Sequence, residues 1–476
     1  MKKALILGII ITLILSIALF YYIIASSFSG IVKFFLSVVL LAISGLIFQK
    51  LSGLEGEYGL LLLRMKRGLD VLDKIANINP DLWRAFADFG IVIGFGVSSI
   101  FIFDKIPKKN FVVSLFILIL ISLFITPSIL PVVLTIIQLP ISITSFALQQ
   151  ASSSENGGSG LLALLLIIPI IFGGLSIAVI ISLLLNAVMT LYNIFLKILS
   201  IFVSTAGDSG ALTRTVPGVA PIIPGINLPF FEGILSLLVL LVVHEVAHGV
   251  LARVEKIRVK SSGLVLFGFL PFGAFVDPDE EQLQRSSGKK QSRVLIAGST
   301  ANFVTTIIFF IILVAFQYSI SQLNYSIYES KVEIIGVAQN STASGILKEG
   351  MIIEYWDGTK INNLEDLVNA INKTKINNTV SVVTDKGNFS LKVNKSAIGI
   401  YVKQPARRDA IGFFFNFFGL TFALNFLVGS VNLLPFPPFD GQRVVSVGVK
   451  DKRVMRAINI IIIVSLILNI LPWFWR

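Results

Sequence analysis

The chain has no cysteine and only two histidines among its 476 residues. The first absence excludes disulfides, thiolate zinc sites and thiol nucleophiles, so any metal must be held by His, Asp, Glu or water. Charge is scarce as well: 14% of residues are charged against 55% hydrophobic, and the mean hydropathy is +0.86. That balance excludes an ordinary soluble globular chain and indicates a polytopic membrane protein. Acidic residues are the minority, 27 against 39 basic, for a net charge of +12. In a membrane chain this surplus points first to cytoplasmic loops and anionic headgroups, which makes the lipid bilayer the first expected partner. There is no long basic run and no basic patch interleaved with aromatics, so no nucleic-acid partner is expected.

Both histidines lie in one apolar stretch, Ile234 to Ala252, as His244-Glu245-Val-Ala-His248. On a helix, residues four apart share a face. The two imidazoles therefore converge on one ion while Glu245, about 100° further round, reaches a water bound to it. The spacing suits zinc. An ionisable residue near the centre of a membrane helix costs roughly 2.5 to 3.5 kcal/mol on insertion scales, so such residues usually mark function. The same residues admit a plainer reading, in which two histidines bridge packed helices and the glutamate snorkels to an interface.

Along the chain, residues 1–203 read as an N-terminal membrane region. Ala4 to Ile24 reads as an uncleaved anchor in preference to a signal peptide ending near Ala25, and Ile31 to Phe48 as a second span. Residues 49–88, with Arg64, Lys66, Arg67, Lys74 and Arg84, read as a cytoplasmic loop by the positive-inside rule. Phe89 to Phe103 is short for a span, Phe111 to Leu139 is broken by Pro127 and Pro131, and Leu161 to Val203 fits one helix or two. If Phe89 to Phe103 crosses, the basic loop 104–109 faces outside; if it is re-entrant, a split of Leu161 to Val203 restores the parity. Ser152 to Gly160 reads as a flexible loop, and residues 204–229 as a Pro-rich extracytoplasmic connector.

Residues 230–318 hold the motif helix, which the basic stop Arg253 to Lys260 orients from outside to inside. Next come a short Gly/Pro/Phe-rich apolar segment, Gly263 to Val276, and a span from Val294 to Tyr318. The short segment has about half the roughly 20 residues a spanning helix needs, and it reads as re-entrant. Residues 319–408 have soluble character, with strand-like runs at Val332 to Val337, Val380 to Val383 and Phe389 to Val393 and a helical Leu364 to Ile371. Six N-x-S/T sequons, at Asn324, Asn340, Asn372, Asn377, Asn388 and Asn394, lie there, which places the domain outside unless its Asn/Ser/Thr-rich composition alone produced them. Residues 409–476 supply a span from Ile411 to Val431, the proline-broken run Asn432 to Arg443, and a last span from Ala457 with Trp473 and Trp475 at an interface. The expected fold is thus a polytopic α-helical membrane protein of about 8 to 10 spans with a re-entrant segment and an inserted extracytoplasmic α+β domain.

Catalytic zinc usually takes three protein ligands and leaves the fourth position to water. With both histidines used and no cysteine, the third is a carboxylate. Glu232 lies about 18 Å along the helix from His244, and Glu255 about 10 Å beyond His248. Asp440 is the better candidate, since an unpaired carboxylate at membrane depth is expensive. An ordinary Asp-Gly turn at the interface is the alternative. In the expected chemistry zinc acidifies a water and polarises a scissile carbonyl, and Glu245 moves the proton.

These residues resemble the site-2 protease family of intramembrane zinc metalloproteases. The likeness covers roughly Pro224 to Trp475, through the H-E-x-x-H helix, Gly273-Ala-Phe-Val276, Ala297-Gly-Ser-Thr-Ala-Asn-Phe303 and Asn432-x-x-Pro435 ending in Asp440-Gly441. The resemblance implies His244, His248 and Asp440 as zinc ligands and Glu245 as the base. It also implies Asn302 and Asn432 near the substrate strand, where both serve equally well as interhelical hydrogen-bond glue. Ala343 to Gly358 with Ile361 and Leu364 to Leu367 resembles the PDZ module of the family's PDZ-containing branch, which would screen substrates or bind a peptide. Two departures, Ser299 for the usual proline and Gln442 for a common second glycine, remove no ligand. The implied substrates are single-span membrane proteins, cut in or near the membrane as in regulated intramembrane proteolysis, in a plasma-membrane setting with the PDZ-like domain extracytoplasmic. A catalytically silent scaffold with a structural metal is the alternative, though it has no use for an intact Glu245; a metal transporter would need repeated polar sites, and the sequence has one cluster.

Overall fold

Runs of apolar residues too long for strands make most of this chain helical. The computed structural model describes residues 2–26, 28, 30–64, 66–103, 106–137, 158–202, 217–220, 222–225, 228–323, 325–338, 341–375, 378–393, 398–407 and 409–474. In chain order the first elements are α1 (Lys2–Ala25), α2 (Gly30–Ser52), β1 (Glu55–Glu57), β2 (Leu60–Arg64), α3 (Lys66–Ile78), α4 (Pro80–Phe95), α5 (Ser99–Ile102), α6 (Lys108–Ile137) and α7 (Gly158–Phe202). They are followed by α8 (Phe230–Val254), β3 (Val259–Phe267), β4 (Leu270–Pro278), α9 (Glu280–Arg285) and α10 (Gly288–Gln322). The remaining elements are β5 (Val332–Val337), β6 (Ile352–Trp356), β7 (Thr359–Lys360), α11 (Leu364–Asn372), β8 (Thr379–Thr384), β9 (Gly387–Lys392), β10 (Ile400–Lys403), α12 (Ala410–Val431), α13 (Asp440–Gly448) and α14 (Lys452–Ile470).

Among the described residues, 8 helices are long and apolar enough to cross a membrane. The chain is an integral, polytopic helical membrane protein. It divides into two units, Met1–Phe310 with Gly419–Arg476, and Ile311–Phe418.

In the first unit, α4, α8 and α10 share a core that includes Ile91, Ile93, Val250, Leu251, Ile296 and Leu433. The apolar run Phe89 to Phe103, short for a span by itself, belongs to a helix that begins earlier, at Pro80, where Asn79 caps α4 by accepting the Leu82 N–H at 3.0 Å. The candidate span is Pro80–Phe101. Hydropathy missed this start because Arg84 and Asp88 read as solvated loop residues, whereas Asp88 is 1% exposed and ion-paired. Residues 49–88, expected as a cytoplasmic loop, hold the end of α2, then β1, β2 and α3, and the start of α4. The helix α6 runs through Pro127 and Pro131. The helix α7 breaks at Gly174, whose φ of 65° and ψ of −162° lie in a region open to glycine. Leu161 to Phe202 is thus two helical pieces.

Gly263 to Val276, expected as a re-entrant segment, lies within a β-hairpin whose register shifts between Val265 and Leu266. β3 and β4 pair antiparallel with Val265 opposite Gly273, and β2 continues the sheet with Arg64 opposite Gly263, in the order β1-β2-β3-β4. Pairing meets the backbone's hydrogen-bonding demand that the short segment has no helix to satisfy. The partner strand comes from nearly two hundred residues upstream, which local pattern does not reveal.

The second unit is an antiparallel sheet in the order β10-β5-β6-β8-β9, with β7 on β6 and α11 beside it. Strand alternation builds its core: Val380 and Val382 of β8 are buried, with Ile334, Ile353, Trp356, Leu367 and Leu391. Asn363 caps α11 by accepting the Asp366 N–H at 2.7 Å. Sequons Asn372 and Asn388 are in this unit; Asn324, Asn340, Asn377 and Asn394 lie outside the described residues, as do Trp475 and most of the Ser152 to Gly160 loop and residues 204–229.

Candidate metal centre

The helix α8 carries His244 and His248 one turn apart, and both rings turn toward Asp440, the first residue of α13. His244 Nε2 lies 3.0 Å and His248 Nε2 3.2 Å from Asp440 Oδ2, and the two Nε2 atoms are 3.2 Å apart. His244 is buried; His248 and Asp440 are half-buried. Among the described residues these three form the group of His, Asp and Glu side chains able to hold one ion.

The donor set fits zinc. Ligands at about 2.0–2.1 Å in a tetrahedron sit about 3.3 Å from one another, close to the observed triangle. Hydrogen bonding explains the convergence less well. A backbone carbonyl accepts only, so the 2.7 Å contact of His248 Nδ1 with Val294 O puts a proton on Nδ1, and in the neutral ring Nε2 then keeps its lone pair. His244 is held likewise, with Nδ1 3.1 Å from the Asn302 amide. Asn302 is fully buried and its Oδ1 has no partner among the described residues. Rotating the amide turns that oxygen onto His244 Nδ1–H, which gives the ring proton an acceptor and leaves Nε2 its lone pair.

The remaining parts of the site come from three places. Glu245, one residue round the helix, accepts the Val276 N–H of β4 at 3.0 Å, so the hairpin lies directly against it. Gly298 of α10 lets that helix approach the imidazoles: a Cβ there would lie 2.4 Å from His244 Nε2 and 2.5 Å from His248 Nε2. Asp440 follows a proline-rich loop tied back by Gly441 N–H to Asn432 O at 2.6 Å. Buried Leu433 in that loop accepts Ser176 Oγ from α7 at 3.0 Å. So the expected residues His244, His248 and Asp440 meet, Glu245 stands beside them, and Asn302 touches a ring. Asn432 enters through its main chain. Sequence reasoning missed the Val294 carbonyl, the Val276 N–H and Gly298. The small-residue run Ala297-Gly-Ser-Thr-Ala301 was the available signal for close approach.

The model of peptidase family M50 matches residues 232–471, half of the chain. The chain belongs to peptidase family M50. An uncharacterised protein of Methanocaldococcus jannaschii is 33% identical over 241 residues, which is 50% of this chain and 62% of the relative. The aligned part thus falls short of two thirds of that relative's length. M50 proteins are zinc metalloproteases, in agreement with the donor set. The M50 match holds His244, Glu245, His248, Asn302 and Asp440, and excludes α1 to α7.

Proposed function

We propose that the protein is an intramembrane zinc endopeptidase that hydrolyses peptide bonds in or near the transmembrane segments of membrane-anchored proteins. The observation that carries this reading is the triangle of His244, His248 and Asp440 with Glu245 on the next helical position, on a helix apolar enough to cross a membrane. Bound there by His244, His248 and Asp440, zinc supplies Lewis acidity toward a scissile carbonyl and toward water. Glu245 is the base: its carboxylate takes a proton from the attacking water and delivers it to the leaving amine. The Val276 N–H holds that carboxylate in place until then. Val294 and Asn302 fix the ring tautomers so that each Nε2 keeps its lone pair.

The substrates are single-span membrane proteins, and the second unit is a PDZ-like extracytoplasmic domain, in a plasma-membrane protein, that screens them or binds a peptide. The five-strand antiparallel path with one capped helix supports a peptide-binding module of that kind. Incubating the purified full chain with transmembrane peptides, with and without a zinc chelator, tests the activity. The expected result is cuts within apolar segments that vanish with chelator and in Glu245→Gln, while that variant keeps its zinc. Full activity in Glu245→Gln, or no cuts across varied sequences, sinks the scheme and favours a silent scaffold.

A further inference from the structure

Away from the metal triangle, a cavity of about 450 Å³ opens between α13 and α14. Gln442 and Ser446 line it from α13, Lys450 from the connection, and Lys452, Arg456 and Asn459 from α14. No carboxylate is in that wall. The three cations are exposed, and none has an ion pair among the described residues. Asn459 adds a solvent-shielded Oδ1 with no hydrogen-bond partner, and amide rotation puts an N–H there instead. The wall surface is mainly apolar, and the polar groups set in it are of one kind: three positive charges, two carboxamides and a hydroxyl around a space large enough for a multi-oxygen anion.

Position narrows the ligand. The candidate span Lys452–Phe474 starts at these cations, so the cavity sits at the polar end of a membrane helix, where headgroups lie. The aliphatic side chains of Val449 and Met455 complete the wall, a surface suited to the glycerol end of a lipid. We propose that this cavity binds a phosphate group, supplied by the headgroup of an anionic phospholipid. Its occupancy joins α13, which begins at Asp440, to the last membrane helix.

The test titrates the detergent-purified full chain with short-chain phosphatidylglycerol, short-chain phosphatidylcholine and inorganic phosphate, and reads bound ligand by native mass spectrometry. Phosphatidylglycerol should bind at least about tenfold more tightly than phosphatidylcholine, and each of Lys450→Gln, Lys452→Gln and Arg456→Gln should weaken it about fivefold. Arg453→Gln, which removes a neighbouring charge outside the wall, should change it less than about twofold. Met455→Trp keeps every charge but fills the space, and should abolish binding. Equal loss in Arg453→Gln, or undiminished binding in Met455→Trp, overturns the site in favour of diffuse charge. Binding of inorganic phosphate with no preference between the two lipids overturns the headgroup as its source.

Discussion

The same two helices, α8 and α10, border two buried polar clusters that behave oppositely. In one, Arg293 of α10 pairs with both oxygens of Asp88 at 2.9 Å and with Glu255, just past α8, at 3.1 Å. Asn110 of α6 donates to Asp88 Oδ2 at 2.9 Å, and Arg84 of α4 approaches Glu255 at 3.5 Å. Two carboxylates face two guanidiniums, and donors and acceptors match. In the other cluster, two imidazole nitrogens and a carboxylate oxygen converge with the rings' Nδ1 atoms already engaged by Val294 and Asn302, a donor set that fits a cation. A closed cluster has nothing to offer a ligand, so it fastens α4 and α6, outside the M50 match, to the peptidase helices. An open one has room to take a cation. Buried charge alone marks neither function nor structure; the hydrogen count around it does.

The largest expected break in that contrast is Gly298→Ala. The added methyl meets both imidazoles, and metal analysis should show zinc falling from about one per chain to near none, with proteolysis at background. Breaking the closed cluster with Arg293→Met leaves two buried carboxylates short of a partner and should cost about 3–5 kcal/mol in chemical unfolding. The folded molecules should still hold zinc. Adding Asp88→Leu and Glu255→Leu should recover most of that stability, since a closed set can be exchanged for apolar groups; no apolar exchange should recover zinc at the open one.

A sharper probe is Asn302→Ala, which frees the His244 ring and should weaken zinc about 10- to 100-fold in a competition titration with the fold unchanged. If zinc holds and only substrate KM rises, Asn302 faces substrate instead. The smallest effect belongs to the exposed pair of Glu280 on α9 and Arg443 on α13, 2.6 Å apart. Partial burial pushes the Glu280 carboxyl up, but hydrogen bonds from Gln284 and Arg443 outweigh it and hold it below the usual range. A carboxyl lowered by folding contributes stability above its unfolded pKa of about 4.3 and loses it as pH falls through the folded value. Arg443→Gln should therefore lower Tm slightly at pH 7, by less than about 1 kcal/mol of stability, and have no effect near pH 2.

By itself the sequence determined the membrane class, because hydropathy over twenty residues depends only on local composition. It also determined that His244 and His248 share a helix face with Glu245 beside them, because H-E-x-x-H spacing is a property of one helix. The absence of cysteine and of a third histidine pointed to a carboxylate as the missing ligand, and Asp440 lies beside both imidazoles. Only the tertiary structure decided what depends on distant partners. Gly263 to Val276 read only as a short apolar segment until its halves paired with each other and β2 added a third strand. Arg84 and Asp88 looked like loop residues until Arg293 and Glu255 neutralised them inside the protein. Asn302 and Gly298 gained their places only when α10 lay against His244. A helix can set the spacing of its own side chains, but the tautomer of a ring, the burial of a charge and the third corner of a metal triangle are set by what packs against it.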